Sequence, residues 1–176
     1  MRHNRADLTS EYVHLTQRGI GRTIIFEDNA DYLRYLRTLK EKPGAADVTI
    51  LAWCLMPNHV HLLVRAPHER ITKMMQCTGV SYAQYYNGRH GHVGKVFQNR
   101  FNGQAVLSEA HLYATIRYIH RNPDDIFGED ALTYKWSSYR EIVGNPWSDQ
   151  AQGLCDTDFV LGLFGGLQEF VAFHEQ

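Results

Sequence analysis

The chain has 176 residues, 44% of them hydrophobic and 12% aromatic, which suffices for one sizeable core and is short for two. No apolar run long enough to cross a membrane occurs and the N-terminus lacks the apolar segment of a signal peptide, so we expect a cytoplasmic protein. The formal net charge of −1 argues against a uniformly basic nucleic-acid binder.

The charges are unevenly distributed along the chain. Residues 61–121 carry eight Lys and Arg against two Asp and Glu, whereas residues 122–176 carry two against ten. A basic segment can follow a phosphate backbone, and an acidic tail can cover or mimic one. Charges that simply face solvent explain the same counts equally well.

The first predicted elements are a strand, a helix and a hairpin. Glu11–Arg18 alternates in polarity and predicts a strand. Asp28 or Asn29 can cap a helix whose apolar residues recur at helical spacing. Two β-favouring runs, Val48–Met56 and His59–Arg65, flank the turn signal Pro57-Asn58 and should pair antiparallel.

The second half predicts mainly helices around one further strand region, Val96–Leu107. The predicted helices cover Ile71–Tyr86, Glu109–Asn122, Tyr134–Val143 and Phe159–Phe173. This order predicts an α+β fold, a ferredoxin-like (RRM-like) split βαβ sandwich with an antiparallel sheet and helices on one face. We place the domain at residues 1–144 and an acidic, helical C-terminal extension at residues 145–176, packed on the domain or covering it.

The stretch MPNHVHLLV contains two histidines at strand spacing. Side chains alternate across a strand, so His59 and His61 should share one face, while Val60, Leu62 and Val64 face the core. The histidines are therefore expected on the outer face of the sheet. Two imidazoles at this spacing can reach one divalent ion, such as Mn²⁺ or, more weakly, Mg²⁺. By itself the pair is weak evidence for a metal site, and the better explanation is two exposed polar residues that bind no metal.

The helix SEAHLYATIRYIHRNP strengthens the signal. Its apolar stripe leaves Tyr118 and Asn122, one turn apart, on a different face. The amide oxygen of Asn122 can complete a three-ligand metal set with open positions for a phosphate oxygen and water. Tyr118 would then be a nucleophile, activated by a base or by a polarised phosphate. Arg117 and Arg121 flank it and could hold backbone phosphates.

Four segments together carry a family resemblance: MPNHVHLLV, VFQNRF, YATIRYIHRNP and YKWSSYREIVG. They resemble the single-tyrosine HUH transposases, and among them the REP-associated tyrosine transposases, from about Tyr12 to Gly144. The resemblance implies a divalent metal, Mg²⁺ or Mn²⁺, on His59, His61 and Asn122, with Tyr118 attacking single-stranded DNA. It implies cleavage beside a DNA hairpin through a 5′-phosphotyrosine link that a 3′-OH can reverse, by a monomer or a homodimer.

Further DNA contacts are predicted from the basic middle of the chain and from the first strand. Arg100, in VFQNRF, is the best candidate, although a structural ion pair explains it nearly as well. His14 in the first strand could face the same site. The other predicted DNA-binding residues are Arg18, Arg65, Lys95, Arg117 and Arg121.

Three alternative functions remain open from the sequence. The chain could be a catalytically inactive DNA-hairpin-binding regulator of the same fold. It could be a metal-dependent hydrolase that uses water as nucleophile, which would leave no covalent protein–DNA adduct. An RNA-binding module would instead place stacking aromatic residues on the strands, where this sequence has histidines.

Overall fold

The computed structural model describes residues 11–41, 47–124 and 131–176. Four strands form one antiparallel sheet in the order β2-β3-β1-β4. The strands are β1 (Tyr12–Arg18), β2 (Thr49–Met56), β3 (His59–Arg65) and β4 (Asn102–Ala105). The helices are α1 (Asn29–Glu41), α2 (His68–His90), α3 (Glu109–Arg121), α4 (Ser138–Ile142), α5 (Thr157–Phe164) and α6 (Leu167–Glu175).

Local sequence signals explain where most of these elements begin and end. The Asp28 carboxylate accepts hydrogen bonds from Ala30 N and Asp31 N at the start of α1, as a helix cap does. Helix α2 extends beyond its predicted range at both ends and stops at Gly91, which has a left-handed φ of 61°. The last predicted helix is broken in two at Gly165 and Gly166, with φ values of 85° and 134°.

The predicted α+β class with an antiparallel sheet is confirmed, but the placement of helices on one face is wrong. Helices α1 and α2 pack on the face of the sheet that carries Val60, Leu62 and Val64. Helix α3 and the C-terminal helices pack on the opposite face, against Leu63 and half of β2. Strand β2 is a continuous apolar run that is buried on both sides, as expected for a strand between two helical layers.

One edge of the sheet is covered by a neighbouring segment of the chain, and the other edge is exposed. The β2 edge is covered by the chain around α4, because Leu55 N donates to Trp136 O at 2.9 Å and Trp53 N donates to Ser138 Oγ at 2.8 Å. Strand β4, at the other edge, carries exposed Asn102. Within the described ranges no helix has the length and apolar character needed to cross a membrane. Because the β2 edge is covered and Asn102 on β4 is exposed, the sheet surface beside β4 is where a ligand has access.

Candidate active site

Antiparallel pairing aligns the polar residues of three strands on one face. In the β1–β3 register, Thr16 lies opposite His61 and Arg18 lies opposite His59. Directly paired residues of antiparallel strands point to the same side, so the alternation along β1 also brings His14 to this face. The shared face predicted for His59 and His61 is thus observed. However, their exposed fractions are only 6% and 4%, because α3 lies over them.

Helix α3 brings Tyr118 and Asn122 to the histidines within a single chain. Leu112, Ile116 and Ile119 are buried against the sheet, which fixes the rotation of the helix. The Tyr118 ring lies 5.6 Å from the His61 ring and 5.8 Å from the His14 ring, between centroids, and 51% of the residue is exposed.

Asn122 is buried at the end of the same helix, with its Oδ1 atom 3.3 Å from Nε2 of His59. The four residues central to the sequence prediction therefore lie together.

The other ring nitrogen of each histidine is held by a neighbour. Nδ1 of His59 lies 2.6 Å from Oδ1 of Asn58. Nδ1 of His61 lies 3.0 Å from Nε2 of His14, on the adjacent strand. The sequence predicts Asn58 only as part of a turn, and its position beside His59 is the only sequence feature that suggests a supporting role.

Burial keeps these imidazoles neutral. It lowers the pKa of His61 to about 3, with smaller contributions from His59, His14 and Arg18. Burial, assisted by His111, lowers the pKa of His14 to about 4. Burial also lowers the pKa of His59, although the neighbouring Asn122 amide acts in the opposite direction. Neutral imidazole is the form that ligates a metal ion.

The donor set fits a divalent cation. Nε2 of His59 and Oδ1 of Asn122 are two lone-pair donors at 3.3 Å, a spacing that two ligands of one ion can adopt. His61 adds a second imidazole, and three protein ligands leave positions open for substrate. Across the described residues, no group of three or more His, Cys, Asp or Glu is arranged to bind a metal. In this set the third donor would be the amide oxygen of Asn122.

A cleft of about 460 Å³ opens beside His61 and Tyr118, and neither His59 nor Asn122 is part of its lining. Most of its lining residues have polar side chains, and Arg18 is the one Lys or Arg among them. The lining residues are His14, Thr16, Arg18, His61, Asn102, Gln104, His111, Ala114, Thr115 and Tyr118. The alternation along β1 that places His14 and Arg18 on this face also predicts Thr16 there. No comparable sequence pattern indicates that β4 or His111 lines the cleft.

Two other predicted DNA-binding residues lie outside the cleft lining. Arg100 and Lys95 are exposed in the segment before β4. This segment runs beside the end of β1, because Gln98 N donates to Arg18 O at 2.9 Å and Gln17 Nε2 donates to Arg100 O at 2.7 Å.

The remaining three predicted DNA-binding residues contact the C-terminal extension, residues 145–176, instead of the cleft. Arg65 lies over the Phe159 ring at 4.6 Å and Arg117 lies over the Phe173 ring at 5.6 Å. Arg121 pairs with Asp124 at 2.7 Å and donates to His174 O.

The extension packs on the side of α3 that faces away from the cleft. Tyr113 OH donates to Leu163 O at 2.9 Å, and residues 145–176 contribute nothing to the cleft lining described above. In this arrangement the acidic extension leaves the cleft and Tyr118 uncovered.

Comparison with known proteins places this architecture among tyrosine transposases. A solved structure described as a REP-associated tyrosine transposase bound to a REP hairpin superimposes with a TM-score of 0.59. It is 15% identical in sequence, and the alignment covers 87% of this chain and 92% of that one. At this identity the likeness concerns the fold.

The family assignment comes from the sequence itself. Residues 7–122 match the family model described as "Transposase IS200 like", whereas no curated protein matches the chain. The chain belongs to the IS200-like transposase family, a class of DNA-processing enzymes. The resemblance identified from the sequence motifs is confirmed.

Proposed function

We propose that this chain is a single-stranded DNA endonuclease and strand transferase that cuts beside DNA hairpins, with Tyr118 as nucleophile. The observation that carries the proposal is the position of Tyr118. It is half-exposed at the cleft, and its ring contacts His61 and His14. A phosphate entering the cleft would meet Tyr118 and His61 on its wall, the proximity that phosphoryl transfer requires. His59 lies next to His61 and contacts Asn122.

His59, His61 and Asn122 would hold Mg²⁺ or Mn²⁺. A cation bound there would polarise the scissile phosphate and offset its developing charge. The burial that keeps the histidines neutral leaves their lone pairs available for this binding. Asn122 also ties the ligand set to the nucleophile, because it lies one turn from Tyr118 on α3.

Tyr118 carries out the exchange of bonds. Its hydroxyl oxygen bonds to phosphorus as the bond from phosphorus to the 3′ oxygen breaks. The phenol loses its proton and the leaving 3′ oxygen gains one. A 5′-phosphotyrosine retains the bond energy, so a 3′-OH can attack it and restore Tyr118 without ATP. Cutting and joining are then the two directions of one reaction.

The DNA partner is a hairpin with a flanking single strand. The structural relative is described as bound to a REP hairpin, and the cleft of this chain is open at the β4 edge. Arg18 on its wall, with Arg100 and Lys95 in the segment before β4, would contact phosphates. The other polar side chains of the wall suit unpaired bases, which proteins read through their exposed edges.

A strand-specific label tests the chemistry. The protein would be incubated with Mn²⁺ and a hairpin oligonucleotide labelled at either end, then resolved on a denaturing gel. The 3′-labelled fragment should migrate with the protein, and the 5′-labelled fragment should be released with a free 3′-OH.

Variants at two tyrosines of α3 assign the nucleophile. Tyr118→Phe should abolish the adduct. Tyr113→Phe is the matched control, because Tyr113 faces the extension, and it should retain the adduct. An adduct that persists in Tyr118→Phe would refute the nucleophile. Cleavage without an adduct would indicate a water nucleophile, and binding without cleavage would indicate a regulator.

A further inference from the structure

We propose that Asn58 and His14 are positioning residues that set the tautomers of His59 and His61, so that each Nε2 keeps its lone pair. The inference rests on the proposed function, in which these histidines bind a metal. A histidine ligand generally needs its second nitrogen fixed by a hydrogen bond. The two histidines here obtain that bond from different parts of the fold.

The hydrogen bonds of Asn58 determine the tautomer of His59. The amide nitrogen Nδ2 of Asn58 donates to the carbonyl of Arg22 at 3.3 Å, which turns Oδ1 towards Nδ1 of His59, 2.6 Å away. An amide oxygen only accepts, so Nδ1 of His59 carries the proton. Nε2 is then a lone pair, and it lies 3.3 Å from Oδ1 of Asn122. Two acceptors at that distance attract a cation between them.

The turn after β1 holds Asn58 in this orientation. Gly19 N donates to Asn58 O at 2.9 Å, and Arg22 adopts a left-handed φ of 63°. A side chain on Gly19 would collide with the carbonyl oxygen of Thr23, so glycine is required for the turn to close. The residues that follow the first strand thus support the first histidine.

Differences in burial determine the direction of the bond between His14 and His61. Their facing nitrogens are 3.0 Å apart, so one of the two carries the shared proton. If His14 donated, His61 would need an N–H at Nε2, and among the described residues that atom has no hydrogen-bond acceptor. His61 is 4% exposed, whereas His14 is only partly buried and can place its own N–H in water. The less costly state has the proton on Nδ1 of His61.

The tautomers can be measured without metal or DNA. Long-range ¹H–¹⁵N NMR of the metal-free protein should show Nδ1–H for both histidines. Asn58→Ala should move the ring proton of His59 from Nδ1 towards Nε2. His14→Phe keeps a ring but removes the acceptor, so it should move the ring proton of His61 from Nδ1 towards Nε2. His14→Gln restores an acceptor and should restore Nδ1–H. His111→Phe is the control, because His111 lines the same cleft without a hydrogen bond to either histidine.

Metal affinity provides the second readout. Calorimetric titration with Mn²⁺ should give a Kd raised by about 10- to 100-fold in Asn58→Ala and in His14→Phe, as expected when an outer partner of a ligand is lost. His14→Gln should recover most of the affinity.

An Nε2–H tautomer in the wild-type protein would overturn the inference, as would unchanged tautomers in both variants. Because neither readout involves Tyr118, absence of a DNA adduct would reject the proposed chemistry and leave the tautomer result standing.

Discussion

A hydrogen-bonded pair of histidines lies on each side of α3. The two pairs differ in whether any ring nitrogen is left without a hydrogen bond. On the cleft side, His61 bonds to His14 through one nitrogen. On the other side, His120 and His174 are fully buried. Nδ1 of His120 contacts Nε2 of His174 at 2.8 Å, and their remaining nitrogens contact Ser138 Oγ and Phe170 O, both at 2.8 Å.

This contrast separates a candidate ligand from a structural histidine. Every ring nitrogen of the buried pair has a protein partner, so no lone pair is left for a metal or a substrate. The buried pair joins α6, α3 and α4, and so fixes the extension to the helix that carries Tyr118. Proximity of two histidines is therefore weak evidence for a metal site, and an available lone pair is stronger evidence.

The largest effect should follow loss of a candidate metal ligand. His59→Ala should reduce adduct formation by at least about 100-fold, because even outer partners of a ligand cost 10- to 100-fold. It should also raise the Kd for Mn²⁺ beyond the range of a calorimetric titration. Quantitative adduct gels and calorimetry measure both quantities, and far-UV circular dichroism verifies that the variant is folded. Adduct formation within tenfold of wild type would remove His59 from the ligand set.

A change in the buried pair should affect stability instead. Ser138→Ala removes the partner of His120 Nε2 and also of Trp53 N, so the free energy of unfolding should fall by about 1–3 kcal/mol. Adduct formation per folded molecule should stay within twofold. Urea denaturation measures the first quantity.

Ser148→Ala is the matched control for this prediction. The buried Ser148 hydroxyl has no hydrogen-bond partner among the described residues, so its loss should not destabilise the protein. If Ser138→Ala were as stable as this control, the buried network would contribute nothing to stability.

Much of the site could be predicted because it depends on local periodicity. Alternation along β3 places His59 and His61 on one face, and a spacing of four places Tyr118 and Asn122 on one side of a helix. Each relation holds within a single strand or helix, so it does not depend on how the elements pack together. The family resemblance then related the two elements.

The packing of α3 was predicted wrongly, although the sequence contained a signal for it. Strand β2 is apolar at successive positions, which indicates burial on both faces. A two-layer sandwich with all helices on one face cannot bury both sides of that strand. The contacts of Arg65 and Arg117 with the extension could not be predicted, because they depend on where Phe159 and Phe173 lie in the folded chain.

The buried pair should also make stability depend on pH. Burial lowers the pKa of His174 to about 4, whereas an unfolded histidine titrates near about 6.5. Between these values the unfolded chain binds more protons than the folded one, so the free energy of unfolding falls as pH falls from about 6.5 to about 4. Above about pH 6.5 this contribution is fully present.

His174→Gln should reduce the slope of this pH dependence without abolishing it, because burial also lowers the pKa of His14, His59, His61 and His120. Urea denaturation at intervals from pH 4 to 7 would give the slope for wild type and variant. Phe159→Leu is a suitable control, because it changes packing in the extension without changing a titratable group, and it should keep the wild-type slope. Equal slopes in wild type and His174→Gln would show that His174 does not contribute.

The smallest effect concerns the charge on the cleft wall, and it tests whether the cleft side of α3 is the DNA side. Arg18→Ala should weaken binding of a hairpin with a single-stranded flank and lower the slope of log K against log salt by about 1, since one phosphate contact is lost. Fluorescence anisotropy over a salt series measures this slope. Arg37→Ala is the matched control, because Arg37 is exposed on α1, which packs on the opposite face of the sheet. An unchanged slope in Arg18→Ala with a reduced slope in Arg65→Ala would place the DNA along the extension, because Arg65 lies on Phe159 rather than in the cleft.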